Sequence, residues 1–265
     1  MRKWLVAPLM FALSATAQAE APPPATLNIA VAADMAHCVE ALDAAFSAQH
    51  PEVELKVATG ASGDFFAQIK NGAPFEVFLS ADMDYPRQLV KAGLANAKTL
   101  KPYALGRLAL WTTTPGINPG RGRTVLTAAS TMKIAIANPE TSPYGRAAMM
   151  AVERLGVADA VKAKLVVGES VAQAAQFVQS GNAEIGFIPY SLLIVPPLKD
   201  VGIYILLPGG TYPEILQGAV VTQKGAKNPL AKAYVDFLGS AEARAIFEAN
   251  GYEAPISKTP IRKLN

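Results

Sequence analysis

The residues best suited to binding chemistry lie at four junctions where a strand-like run gives way to a helix-like run. Each junction combines small residues, hydroxyl groups or a helix-capping side chain, and none contains Lys or Arg. The first N–H groups of a helix lack intrahelical acceptors and carry partial positive charge, so such junctions could hold a small anion without a cationic side chain. At any single junction an ordinary capped helix is the commoner explanation, but the four together favour an anion site. The junctions are Ala33–Asp34, Gly60–Gly63, Ser142–Gly145 and Glu169–Val171.

The elements that carry these junctions alternate between strands and helices along the chain. Runs such as TLNIAVAAD, VELKVATG and KIAIANP predict strands, and the periodic segments of about 10 to 15 residues between them predict helices. This alternation is typical of βαβ units, in which ligands bind beyond the carboxyl ends of the strands. The sequence therefore predicts an α/β fold of two lobes with mostly parallel sheets.

The chain is expected to cross between the lobes twice, near Ala104 and near Gly202. These crossings predict lobe one over residues 26–104 and 203–265, and lobe two over residues 105–202. Two of the four junctions would then come from each lobe and face each other across the cleft.

The first residues predict export from the cytoplasm. Two basic residues precede an apolar run that ends near Leu13, and Ala17-Gln18-Ala19 has the form of a cleavage site. We therefore expect residues 1–19 to be a cleaved signal peptide and residues 20–25 to form a short leader. The apolar run is too short for a permanent membrane anchor.

Composition argues against several other classes of function. Loss of the two N-terminal basic residues lowers the formal net charge from +3 to about +1, so nothing indicates a nucleic-acid partner. The single Cys, Cys38, cannot form an intramolecular disulfide, so the chain must be stabilised by its core. The chain has two His and shows no Ser/His/Asp arrangement, phosphate-binding loop or zinc spacing. We therefore expect no enzyme activity, no cofactor and no direct metal-ion ligands.

Two further groups of side chains can each be interpreted in two ways. His37 and Cys38 lie near Asp34 and could suggest a metal site, but adjacent residues face different sides of a helix, which favours a core role for Cys38. Arg146 lies one turn into the helix that follows Ser142. Arg146 could reach the rim of the cleft and help to bind an anion, but a position on a solvated helix face is favoured.

Beyond these local features, the chain resembles the periplasmic molybdate-binding proteins of ABC importers, within the type II solute-binding fold. The matching stretches follow one another through nearly the whole mature chain, and the run NGAPFEVFLSAD is the most specific of them. They are IAVAAD, GASG, QIKNGAPFEVFLSAD, IAIANPETSPYG, GESVAQAAQFVQSGNAEIGF and AEARAIFEANGY.

The resemblance implies a periplasmic monomer that holds a tetrahedral oxyanion between its lobes and delivers it to an ABC permease and ATPase complex. The implied ligand is molybdate, with tungstate as a near-isostere. The main-chain N–H of Val171 would be a donor, and those of Ala33 and Tyr144 are further candidates. The positions that match ligand contacts of the family are Ala33, Asp34, Ser62, Tyr144 and Val171.

Asp34 departs from the family pattern, in which Ser or Asn is usual at this position. An ionised carboxylate only accepts hydrogen bonds, and about 4 Å from a dianion it would repel each charge by about 4 kcal/mol at an effective dielectric of about 20. Three explanations stay open. In the first, Asp34 turns away from the ligand and caps the helix. In the second, Asp34 is protonated or accepts a proton that the ligand carries. In the third, the protein binds a small anion other than molybdate.

The scaffold and the second lobe each allow one more interpretation. A secreted enzyme could use the same fold, although the sequence shows no nucleophile–base pair. Pro189 lies where some members of the family have a contacting Tyr, and Tyr190 would face the other side of a strand. Tyr144 is therefore expected to serve as the contacting Tyr.

Overall fold

The computed structural model describes residues 25–255. The predicted signal peptide, the leader up to residue 24 and residues 256–265 lie outside the described residues. Ala25, expected at the end of the leader, is the first residue of a strand.

The described residues form ten strands and ten α-helices. The strands are β1 (Ala25–Ala32), β2 (Val53–Gly60), β3 (Val77–Ser80), β4 (Lys101–Gly106), β5 (Leu108–Thr112), β6 (Ile134–Ala137), β7 (Leu165–Gly168), β8 (Ile185–Pro189), β9 (Ile203–Leu206) and β10 (Ile215–Val221). The helices are α1 (Cys38–Gln49), α2 (Ser62–Lys70), α3 (Asp84–Lys91), α4 (Arg123–Thr127), α5 (Pro143–Arg154), α6 (Ala158–Val161), α7 (Val171–Gln179), α8 (Tyr190–Leu193), α9 (Pro229–Phe237) and α10 (Ala241–Ala249). A 3-10 turn, Ala33–Met35, follows β1. None of the helices in this part of the chain is long and apolar enough to cross a membrane.

The strands form two five-stranded sheets with corresponding topologies, β2-β1-β3-β10-β4 and β7-β6-β8-β5-β9. In the first sheet β10 runs antiparallel to both neighbours, and in the second β5 does so. The other strands of each sheet share one direction, as predicted for a mostly parallel α/β fold. The reversed strands, β5 and β10, are those with which the chain enters each sheet from the other lobe.

The predicted lobe boundaries are wrong by a few residues. Leu105 and Gly106 complete β4 in the first sheet, so the first crossing lies at Arg107. β9 pairs with β5 in the second sheet, so the return crossing lies between Leu206 and Ile215. Gly202 only begins the turn into β9, and a turn residue by itself does not show which sheet receives the next strand.

The apolar strand sequences reflect burial of both faces of each sheet. In the first sheet Ile29 and Val31 pack in one core with α1, α9 and α10, whereas Ala30 packs in a second core with Phe65 of α2 and Leu89 of α3. Successive side chains of a strand point to opposite faces, so a strand covered by helices on both sides needs a continuous apolar run.

Strand register brings the predicted junctions side by side. In the parallel pair β1–β2, Ala32 lies opposite Gly60, and in β6–β7, Ala137 lies opposite Gly168. Each pair of strands therefore ends at one level, and the helical segments that follow begin next to each other at the carboxyl edge of the sheet.

Candidate anion-binding site

The four junctions meet around one cavity between the lobes. Lobe one contributes the 3-10 turn after β1 and the start of α2, and lobe two contributes the starts of α5 and α7. All five predicted site residues are brought together there, and their role in holding an anion stays a prediction. The lining residues are Ala32, Ala33, Asp34, Gly60, Ala61, Ser62, Ala81, Ser142, Pro143, Tyr144 and Val171.

The cavity is small and closed. The cavity volume is about 10 Å³, close to the room that one water needs. The five predicted site residues are all at least nine-tenths buried. A ligand can therefore reach them only when the lobes separate, and the closed site suits a compact ion better than an organic molecule.

The lobes contact each other directly beside the cavity. Gly63 N–H, in the first turn of α2, donates to the Thr141 carbonyl of lobe two at 2.8 Å. A side chain on Gly63 would collide with this segment, because an added Cβ would lie 2.7 Å from Thr141 Cα. The second Gly of the GASG loop therefore permits close approach of the two lobes.

Ser62 offers a hydroxyl proton to the cavity. Its Oγ accepts a hydrogen bond from the Ala81 N–H at 3.0 Å. Because a hydroxyl both donates and accepts, this bond orients Ser62 and leaves its proton available to an anion.

In lobe two, α5 and α7 begin after capping residues that leave one main-chain N–H group near the start of each helix free to face the cavity. Ser142 Oγ accepts from Gly145 N–H, and Ser170 Oγ accepts from Gln173 N–H, both at 3.3 Å. Each cap satisfies the third residue of its helix, and Pro143 has no N–H. The main-chain N–H groups of Tyr144 and Val171 consequently lack intrahelical acceptors and border the cavity.

Asp34 does not cap a helix. Its Oδ2 accepts hydrogen bonds from Gln217 Nε2 and from the Tyr252 hydroxyl, the latter at 2.9 Å. The Ser191 and Tyr252 hydroxyls donate to its main-chain carbonyl at 2.9 and 2.8 Å. The capping explanation is therefore wrong, because the residue is fixed by buried side chains from both lobes.

Burial raises the pKa of Asp34 to about 6. The hydrogen bonds from Gln217 and Tyr252 oppose this rise, and Tyr144 opposes it to a smaller extent. The Tyr144 hydroxyl accepts from Gln217 Nε2 at 3.3 Å and does not reach the carboxylate with ordinary hydrogen-bond geometry. Desolvation thus dominates the electrostatics of this side chain.

Arg146 is partly exposed to solvent, as favoured, but it also connects the two lobes, which the sequence did not indicate. Its guanidinium crosses between the lobes, pairs with Asp82 and donates to the Tyr85 hydroxyl at 3.2 Å. Tyr85 in turn donates to the Glu140 carbonyl of lobe two at 3.2 Å. Arg146 therefore bridges the closed lobes, and none of the Lys and Arg side chains between residues 25 and 255 lines the cavity.

Cys38 and Tyr190 both lie outside the cavity lining. Cys38 is 2 % exposed and packs in the lobe-one core, as expected. Tyr190 begins α8 instead of continuing a strand, and it packs against Tyr204, with ring centroids 5.6 Å apart. Tyr190 is absent from the cavity lining, because the chain turns into α8 immediately after Pro189.

Several residues that organise the site escaped sequence reasoning. Gln217 lies in the apolar strand β10, donates to Asp34 and accepts from the Tyr103 hydroxyl at 2.7 Å. A polar side chain in a buried strand requires a partner, so Gln217 within ILQGAVV was the one available signal. Ser191 and Tyr252 had no such signal, because only the tertiary fold brings them to Asp34.

The fold and the cavity are those expected of a two-lobed binding protein. The chain belongs to the family of bacterial extracellular solute-binding proteins, which it matches over residues 27–253. It is 41 % identical to the molybdate-binding protein ModA of Azotobacter vinelandii over 246 residues, 92 % of this chain and 96 % of the relative. It is 42 % identical to ModA of Rhodobacter capsulatus over 195 residues, 74 % of this chain and 75 % of the relative.

Solved structures support the same fold. The periplasmic molybdate-binding protein of Azotobacter vinelandii superposes with a TM-score of 0.81 at 34 % identity, covering 86 % of this chain and 99 % of that one. The sulfate-binding protein SubI of Mycobacterium tuberculosis superposes with a TM-score of 0.71 at 16 % identity, covering 88 % of each chain. The latter likeness concerns the fold alone.

Proposed function

We propose that this protein captures molybdate in the periplasm, takes tungstate as a near-isostere, and delivers its ligand to an ABC permease and ATPase complex. It would act as a monomer and without catalysing a reaction. The ligand specificity is supported by the two relatives named as molybdate-binding proteins.

The observation that carries the proposal is the meeting of four helical N-termini, two from each lobe, around a closed cavity whose lining residues include no cationic side chain. Main-chain N–H groups at Ala33, Tyr144 and Val171 and the Ser62 hydroxyl would surround the anion. Donors of this kind stabilise a dehydrated anion through hydrogen bonds and the helix dipole. Donation from both lobes would also make closure depend on the ligand.

Size would select the ligand. The cavity walls are built from strand ends and helix starts, so the donors have fixed positions within each lobe once the lobes have closed. An oxyanion with longer bonds to its central atom would reach donors of both lobes, whereas a smaller one such as sulfate would leave part of them unpaired, which is costly for buried groups.

Isothermal titration of the mature protein with molybdate, tungstate, sulfate, phosphate and arsenate tests the proposal. We expect tight one-to-one binding of molybdate and tungstate and much weaker binding of the other three. Tight binding of sulfate or phosphate with none of molybdate would contradict it. A thermal-shift series with the same anions gives an independent ranking, because a ligand that binds only the folded state raises the melting temperature.

A second candidate ligand is a small anion that carries a proton. It is favoured by one observation, the unpaired and buried Oδ1 of Asp34, which can accept a hydrogen bond. Arsenate and phosphate in the same titration represent this class.

A further inference from the structure

One wall of the cavity contains a buried carboxylate oxygen that lacks a hydrogen-bond partner. Among the described residues nothing donates to Asp34 Oδ1, whereas Oδ2 accepts from Gln217 and Tyr252. Gln217 and Tyr252 are not cavity-lining residues, but Asp34 is. Oδ1 is therefore the carboxylate atom available to a bound ligand, and leaving it buried and unpaired is unfavourable.

We propose that anion binding takes up one proton, which is held between Asp34 Oδ1 and an oxygen of the bound anion. The inference rests on the proposed function, since it concerns the same cavity. The proton comes from solvent and forms an O–H bond with the carboxylate, whose single negative charge is thereby removed. The resulting carboxylic acid donates a hydrogen bond to the anion. A singly protonated anion that meets an ionised Asp34 yields the same complex.

The size of the electrostatic repulsion decides in favour of protonation. A negative charge on Oδ1 about 4 Å from an anion weakens binding by about a thousandfold for each ligand charge, at an effective dielectric of about 20. The pKa of Asp34 is about 6, so at about pH 8 only about one carboxyl in a hundred is protonated before binding. The need to protonate it therefore lowers the affinity by only about a hundredfold. A bound dianion therefore favours the neutral carboxyl throughout the neutral range.

The groups around Asp34 offer no competing positive charge. Tyr144 of α5, Tyr103 of β4, Tyr252 after α10 and Cys38 of α1 face it, and burial raises the pKa of each above its ordinary value, so they stay neutral. Among the described residues no Lys, Arg or His contributes to its pKa.

The carboxylate cannot easily turn away from the ligand. The Ser191 hydroxyl holds the Asp34 main-chain carbonyl at 2.9 Å. The Tyr252 hydroxyl contacts both that carbonyl and Oδ2, at 2.8 and 2.9 Å. Rotation of the side chain would break the bonds to Gln217 and Tyr252 and leave further buried groups unpaired.

Titration calorimetry in several buffers measures the proposed proton directly. At about pH 7.5, molybdate is titrated into the mature protein in buffers of different ionisation enthalpy, and the slope of the observed enthalpy gives the protons taken up. We expect a slope close to one proton per anion. Because binding takes up a proton, affinity should fall as pH rises, by about fiftyfold between about pH 6 and about pH 8.

Two Asn variants assign the proton to a residue. Asp34→Asn should bind molybdate with no proton uptake and with an affinity that is flat over this pH range. Asp43→Asn is the matched control, since burial also raises the pKa of Asp43 to about 6, while its partner is Tyr234 in the lobe-one core. The control should retain the uptake of the parent.

The outcomes separate this inference from the proposed function. Tight molybdate binding by the parent protein with no proton uptake overturns the inference and leaves the function intact. Absence of binding for every oxyanion overturns both. Uptake that persists in Asp34→Asn refutes the assignment to Asp34. If that variant does not fold, the buffer series and pH dependence of the parent alone decide whether a proton is taken up.

Discussion

Replacing Ser62 with Ala should weaken anion binding and also destabilise the ligand-free protein. The hydroxyl would donate to the anion, and hydrogen bonds to charged groups contribute about 1 to 3 kcal/mol, which corresponds to an affinity loss of about 5- to 150-fold. Ser62 is 1 % exposed, and its Oγ is the acceptor for Ala81 N–H. Its removal leaves a buried donor unpaired, at a cost of about 1 to 3 kcal/mol of folding free energy.

Calorimetry with molybdate and thermal denaturation without ligand measure the two effects separately. Ser240→Ala is the matched control, because Ser240 Oγ caps α10 by accepting from Ala243 N–H at 3.0 Å and lies away from the cavity. Its loss should lower stability by about 0.5 to 2 kcal/mol and leave affinity unchanged.

Equal molybdate affinities for Ser62→Ala and the parent would refute a ligand contact at Ser62. The GASG loop would then be an ordinary capped helix start. An unchanged melting temperature would instead show that water or a backbone shift satisfies Ala81 N–H, and the energetic account of the loop would be incorrect.

Arg146, Gly145 and Asp34 each allow a further test of the structure. Arg146→Met removes the half-buried ion pair with Asp82 that connects the closed lobes. Stopped-flow measurements should show molybdate dissociating about fivefold faster, which corresponds to the loss of about 1 kcal/mol. An unchanged dissociation rate would show that this ion pair does not stabilise the closed state. Gly145→Ala places a Cβ 2.3 Å from the Ala137 carbonyl oxygen, so denaturation should reveal a loss of about 1 to 3 kcal/mol, and full stability would argue against this tight packing. Asp34→Asn should raise the melting temperature of the ligand-free protein near neutral pH. Burial raises the folded-state pKa of Asp34 from 3.8 to about 6, so the parent loses stability as pH rises through that window, by up to about 3 kcal/mol; equal pH profiles for the two proteins would contradict it.

The alternation of strands and helices, the class of fold and the four junctions could be predicted because they depend on local patterns. Strand periodicity, Ser142 with Pro143 at a helix start, and the small residues of Gly60–Gly63 are all properties of short segments. Parallel pairing then requires the strand ends to share one edge. The two junctions of each lobe therefore lie together at the carboxyl edge of that lobe's sheet.

Pairing partners and side-chain contacts between distant segments could not be predicted in this way. The assignment of Ile203–Leu206 to the second sheet depends on its neighbour β5, and the bridge from Arg146 to Asp82 depends on how the lobes close. The local sequence around Ser62 likewise does not show that Ser62 is buried or that its Oγ accepts a hydrogen bond from Ala81 N–H.

Asp34 shows most clearly the difference between what local sequence indicates and what contacts between distant segments set. Local sequence is enough to show that an acidic residue follows β1 at the predicted anion site, and that an ionised carboxylate there conflicts with binding of a dianion. How Asp34 is held depends on the tertiary fold, because Gln217 and Tyr252 are 183 and 218 positions away along the chain. Burial and hydrogen bonding set the protonation of a carboxyl group, and both depend on every segment packed around it.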